Sequence, residues 1–107
     1  MNLPKVVTSL VEAQNSHDSQ AYVACFSESA IVHDEGKTHK GKAEIQQWIE
    51  KSDSEYHTEL KPLNYKETET ENIMAAEVSG EFPGSPVILQ FHFGLANGLI
   101  SSLRIMR

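Results

Sequence analysis

Asp34 lies in the run Ala30-Ile31-Val32-His33-Asp34-Glu35, and His39 follows five residues later. A carboxylate and an imidazole at this separation suit proton transfer. Histidine titrates near neutral pH, and a carboxylate can fix its tautomer or take a proton itself. The run is rich in β-branched residues and reads as a strand, so Val32 and Asp34 share one face while His33 and Glu35 share the other. Two readings of Asp34 stand side by side: a pocket carboxylate, or one accepting backbone hydrogen bonds at the Gly36 turn. His39 has two as well, as a partner reaching Asp34 across the hairpin or as an exposed hairpin residue.

Other chemistries fit less well. Five histidines accompany the acids, yet His33, Asp34 and Glu35 alternate across a strand and no His-Glu-x-x-His or paired-cysteine pattern occurs, so no metal site is expected. Gly36 and Gly41 flank a hairpin instead of opening a helix after a strand, which argues against a phosphate-binding loop and a nucleotide cofactor. Ser27, Ser29 and Ser85 lack the context of a nucleophile elbow. His17, His57 and His92 read as surface or interface residues. Cys25 reads as a buried structural thiol.

The elements that must position these residues follow from periodicity. Val6, Val7, Leu10, Val11 and Gln14 recur at steps of three and four after Pro4, predicting an amphipathic helix over 3–15 that ends in a polar residue. Asp18 is an N-cap for a second short helix with Ala21, Tyr22, Cys25 and Phe26 on one face. A third helix carries Ile45, Trp48 and Ile49 and is expected to fade near Ser52 to Ser54. Strands are predicted near 57–67, 72–82, 86–95 and 99–106. The Pro83-Gly84-Ser85-Pro86 and Asn97-Gly98 turns make the last three an antiparallel meander. Helices first and strands afterwards give an α+β class, with helices covering one face of a curved sheet.

Within that frame Gln14 and Tyr22 are polar groups on apolar helical faces. Small-molecule pockets are built from such groups set among hydrophobes. Each also has a core reading, in which the Tyr22 hydroxyl escapes to solvent. Phe26 and Trp48 serve equally as pocket wall or core. On the opposite sheet face, Ile88, Gln90 and His92 with Ser102, Arg104 and Met106 form a half-polar surface suited to a second copy, so a homodimer is expected.

The 107 residues, 39% hydrophobic and 22% charged, fit one domain over 1–107 and no membrane span. Nine Lys and Arg against fifteen Asp and Glu leave a net charge of −6, which opposes nucleic-acid binding. The whole excess sits in residues 50–81, with nine acids and three bases, and reads as a solvated face. Lys37, Lys40 and Lys42 form a small basic hairpin patch. One cysteine, and no apolar leader after Met1, point to a cytoplasmic protein.

The order helix, helix, strand, helix, then strands resembles the nuclear transport factor 2-like superfamily, and its SnoaL-like branch in particular. The resemblance is carried by Asn15-Ser16-His17-Asp18, by Phe26 through Gly36, and by His39-Lys40-Gly41-Lys42-Ala43-Glu44-Ile45 with Trp48. Gly80 to Pro86 and Phe91-His92-Phe93 add to it. It implies a cone of three N-terminal helices on a curved, mostly antiparallel sheet, with Asp34 turned inward among Phe26, Trp48, Phe91 and Leu103. Desolvation there would raise its pKa toward a useful base or acid.

Against ketosteroid isomerase, Asp34 matches the general base, but Leu10 and Leu89 match the two oxyanion donors and neither can donate a hydrogen bond. Losing one such donor costs about 3 kcal/mol of transition-state stabilisation, so steroid isomerisation is rejected. The resulting expectation is a small-molecule-binding protein of unspecified activity and, if it is an enzyme, one without cofactor, of isomerase, cyclase or lyase type. Asp34 and His39 would be catalytic, and Gln14, Tyr22, Phe26, Trp48, Leu89, Phe91 and Leu103 would line the site for a small apolar substrate. The alternative is a noncatalytic dimerisation or ligand-sensing module.

Overall fold

The computed structural model describes residues 2–107. Helices α1 (Lys5–Asn15) and α2 (Ser19–Val23) come first, then strands β1 (Phe26–Asp34) and β2 (Lys37–Lys40) and helix α3 (Gly41–Tyr56). Strands β3 (Glu59–Glu67), β4 (Asn72–Ser79), β5 (Val87–Ala96) and β6 (Leu99–Met106) complete the chain. All six strands form one sheet in the order β2-β1-β6-β5-β4-β3. Only β1 and β6 pair in parallel, and the three helices pack on one face of the sheet.

Local chemistry explains these boundaries. Asp18 accepts from the Ala21 amide at 3.0 Å and caps α2, which meets one of the amides left unpaired at a helix start. Glu44 reaches back to the Lys40 amide at 2.8 Å and does the same for α3. Asn97 and Gly98 both have positive φ between Ala96 and Leu99, as do Glu35 and Gly36 between Asp34 and Lys37. Such two-residue turns follow the strand twist and fix register. Asn15 clamps one peptide of β3: its amide nitrogen donates to the Leu60 carbonyl at 3.0 Å and its oxygen accepts from the Leu60 amide at 2.7 Å.

Three boundaries differ from the sequence expectation. β1 begins at Phe26, several residues before the β-branched run, because its pairing with β6 is interrupted between Phe26 and Ile31 and the irregular segment absorbs the polar Ser27, Glu28 and Ser29. Residues 37–40 form a strand of their own, antiparallel to β1. α3 does not fade at Ser52 to Ser54 but runs on to Tyr56, where His57 closes it in the left-handed conformation.

The core lies between helices and sheet. Val7, Leu10, Ile45 and Ile49 from the helices meet Phe26, Val32, Phe93, Ile100 and Leu103 from the strands, all essentially inaccessible. Each large side chain so buried contributes about 1.5–3 kcal/mol relative to exposure. No described helix is long and apolar enough to cross a membrane.

Candidate functional site

The pleat of β1 puts Ala30, Val32 and Asp34 on the helix-facing side of the sheet and leaves His33 and Glu35 exposed. The register forms a transverse row, Ile105–Phe91–Met74–Tyr65, across β6, β5, β4 and β3, and Asp34 and Ile105 each lie two residues beyond the Val32–Leu103 pair. Next to it runs Val32–Leu103–Phe93. Asp34 therefore stands at the rim of the apolar layer. An open hollow of about 430 Å³ lies at the β1–β2 hairpin, lined by His33 through Thr38 and by Arg104, Ile105 and Met106, most of them exposed. The expected lining residues Gln14, Tyr22, Phe26, Trp48, Leu89, Phe91 and Leu103 do not line it, because their side chains pack into the closed layer between helices and sheet.

Burial pushes the Asp34 carboxyl up from the ordinary aspartate range, and the neighbouring Glu35 charge adds to this. The Trp48 indole N–H, the His39 side chain and the Glu35 amide oppose it. Desolvation is the largest influence, so the proton is held more tightly than by a free aspartate. The side chain faces inward and is partly buried.

His39 shares the inner face through its pairing with Val32. Its ring lies on Trp48, with centroids 5.4 Å apart and planes at 27°. Among the described residues it makes no side-chain hydrogen bond to Asp34, so the expected direct contact of the pair is not formed, and its influence on the carboxyl is electrostatic only. His33, on the outer face, bonds Thr38 at 3.1 Å.

The other expected lining residues divide into two groups. Tyr22 packs against Phe26 at 5.5 Å and Trp48 at 6.2 Å between ring centroids. Its hydroxyl does not escape to solvent: it is buried and has no hydrogen-bond partner. Burial first, then the charges of Asp34, Cys25 and Asp53, drive its pKa far up, so it stays protonated. Phe91 and the half-buried Leu89 lie on the inner face of β5, Phe91 paired with Ile105 of β6 and Leu89 two residues farther along the strand. Phe26 and Leu103 belong to the sealed core.

Gln14 is buried too, but its amide donates to the Thr58 hydroxyl at 3.0 Å, tying α1 to the residue before β3. His17 donates through Nε2 to the Thr58 carbonyl at 3.1 Å. Cys25 is buried, with its thiol directed to the Ala21 carbonyl at 3.5 Å.

Two inward residues lie beyond the set expected from the sequence. Ile105, like Asp34, lies two residues beyond the Val32–Leu103 pair and lines the same hollow, and the alternation Leu103–Ile105 carried that signal. Asp53 falls one helical turn beyond Ile49 and two beyond Ile45, on the buried stripe of α3. Its Oδ1 is buried without a partner. Desolvation raises its pKa, while His17 and His57 pull it down. Among the described residues no three His, Cys, Asp or Glu side chains gather as they would around a metal ion.

On the outer sheet face, His92 bonds Glu71 at 2.9 Å, while Ile88 and Met106 remain 57% and 43% exposed.

Comparison with known proteins agrees with this architecture. The SnoaL-like domain profile matches residues 7–102. No curated protein matches the chain. A candidate polyketide cyclase from Sinorhizobium meliloti is 33% identical over 97% of this chain and 95% of its own, with a TM-score of 0.93. A protein of ketosteroid isomerase-like fold from Catenulispora acidiphila, solved with trimethylamine, is 17% identical over 99% of this chain and 87% of its own, TM-score 0.87. A computationally designed 17-OHP binder is 16% identical over 95% and 87%, TM-score 0.81.

Proposed function

Because this chain belongs to the SnoaL-like family of the nuclear transport factor 2-like superfamily, we propose that it binds a small apolar organic molecule and moves a proton on it with Asp34. The observation that carries this reading is the Asp34 carboxyl, turned inward at the rim of the apolar layer and held up by desolvation beside Trp48. In this reading Asp34 takes a proton from the substrate and returns it, in an isomerase, cyclase or lyase type of reaction that needs no cofactor. Trp48 donates to the carboxylate and fixes its orientation. His39, stacked on that indole, biases the charge of the site. Leu89, Phe91 and Ile105 keep water from the reacting atoms. The likeness to a candidate polyketide cyclase supports the cyclase variant, and the trimethylamine complex and the designed 17-OHP binder support small organic ligands for this fold.

The proposal includes a cytoplasmic homodimer formed through the outer sheet face. There the exposed Ile88 and Met106 flank Gln90, His92 and Arg104.

A thermal-shift screen of small ketones, phenols and lactones tests the reading. A ligand at a hundred times its dissociation constant adds about 2.7 kcal/mol to stability, several degrees in a domain of this size. A compound that stabilises both the native chain and Asp34→Asn, and is turned over only by the native chain, is the expected result. Turnover surviving in Asp34→Asn would overturn it. The dense packing of Leu10, Tyr22 and Phe26 favours a second reading, a noncatalytic binding or dimerisation module. That reading predicts binding without turnover in both proteins.

A further inference from the structure

Away from Asp34, an open groove of about 700 Å³ lies between α1, α2 and the β5–β6 hairpin. Cys25, on its floor, directly precedes β1, and Asp34 ends that strand. At about 3.3 Å per residue the two are roughly 25–30 Å apart. The groove shares no lining residue with the hollow that holds Asp34. Its volume is in the range of small-molecule pockets.

An irregularity in the sheet frames this groove. β5 and β6 pair as Gly94↔Ser102 and next as Leu95↔Ile100, which leaves Ser101 as an extra residue. The Ser101 hydroxyl donates to the Gly94 carbonyl at 3.0 Å. A Cβ on residue 94 would stand 2.5 Å from the Ser102 hydroxyl oxygen, so any side chain there would have to displace it. A bulge of this kind bends its strand and re-aims side chains. The hairpin end beyond it, Leu95 to Leu99, forms one wall, and Pro4, Val6 and Ser9 form another. The Cys25 carbonyl accepts from the Ile100 amide at 2.9 Å and fastens the floor to β6, while the thiol is directed to the Ala21 carbonyl.

The chemistry of the lining selects a ligand class. Val6, Leu95 and Leu99 are its large apolar side chains, and Ala21, Ala24 and Ala96 leave room between them. Lys5 is its one charge. Among the described residues no acid lines the groove, and Lys5 forms no ion pair. In a chain of net charge −6, a ligand here meets a cation first. One lysine matches one negative charge, which favours a carboxylate over a phosphate dianion, and the Ser9 hydroxyl and Asn97 amide can donate beside it. A second protein fits less well. Of the large apolar lining residues only Leu99 is exposed, whereas stable interfaces bury about 800 Å² per partner around several anchors.

We propose that this groove binds a small monocarboxylic acid with an apolar tail, its carboxylate at Lys5 and its hydrocarbon between Val6, Leu95 and Leu99. The site is separate from the Asp34 chemistry and stands or falls without it.

Amide NMR titrations of the intact chain with octanoate, 1-octanol and octylammonium, each below its aggregation range, test the proposal, repeated on Lys5→Gln and Ala24→Leu. Both substitutions fall on exposed positions, so the fold is kept. Octanoate should shift the Lys5, Val6, Cys25 and Gly98 amides saturably and bind about three- to fivefold more tightly than octanol, the worth of one partly exposed ion pair. Octylammonium should bind more weakly than octanol. Lys5→Gln should make octanoate and octanol equal, and Ala24→Leu should weaken both by filling the groove. Octanol binding as tightly as octanoate to the native chain would overturn the proposal, as would a preference that survives Lys5→Gln. Shifts at the Trp48 indole and the Asp34 amide in place of the groove would also overturn it. So would groove signals that move with protein concentration alone, which would assign the groove to a second copy of the chain.

Discussion

The layer between helices and sheet has two unlike ends. At the sealed end Val7, Leu10, Phe93, Ile100 and Leu103 are inaccessible and purely apolar. At the Asp34 end, the same layer holds a partly buried carboxyl with raised pKa and, packed on Trp48, the buried Tyr22 phenol with no partner. Apolar packing alone explains the first end. At the second, the chain keeps groups that cost stability, and strain of that kind collects at functional sites. The difference separates what folds this protein from what it does.

The largest effect tests the sealed end. Phe93→Ala should cost about 3–5 kcal/mol in urea unfolding, as expected for deleting a fully buried aromatic. A loss below about 1 kcal/mol would mean that this end is as loosely filled as the rim.

Asp34→Asn should act in the opposite direction, raising stability at pH 7 by less than the Phe93 change lowers it. The sign follows from the raised folded-state pKa. Such a group favours folding fully below its unfolded pKa and loses that contribution as pH rises through the folded value. The advantage of the variant should therefore be present at neutral pH and shrink as pH falls through the folded pKa of Asp34. An Asp34→Asn variant less stable than the native chain at pH 7 would break the contrast between the two ends.

The smallest effect lies outside both regions. Lys51 and Glu55 form an exposed pair at 3.9 Å one turn apart on α3. Lys51→Ala should change stability by less than about 0.5 kcal/mol. A larger loss would show that α3 is held from its solvent face and not by its buried stripe.

Much of this contrast was legible in the sequence. Strand alternation alone put Asp34 with Val32 and against His33, and Asn97-Gly98 fixed the last hairpin. What stayed hidden depends on tertiary context. Ser27, Glu28 and Ser29 concealed the start of β1, because the pairing irregularity that accommodates them has no local signature. Ser52 to Ser54 looked like a helix end, since polar residues favour caps and turns, and His57 closes α3 without the glycine that usually marks such a stop. That misplaced end hid Asp53, although the spacing Ile45–Ile49–Asp53 was there to be read. Whether Gln14 would serve a ligand or the scaffold could not be read from α1 alone, because its partner Thr58 is 44 residues away.

Everything functional turns on the environment of one carboxyl. Carbon-detected NMR titration of Asp34 measures it directly, with Trp48→Phe as the companion variant. The midpoint should lie above that of a free aspartate and rise further when the indole donor is lost. A midpoint at or below the free value, unmoved in Trp48→Phe, would contradict the desolvated, indole-bound carboxyl on which the account depends.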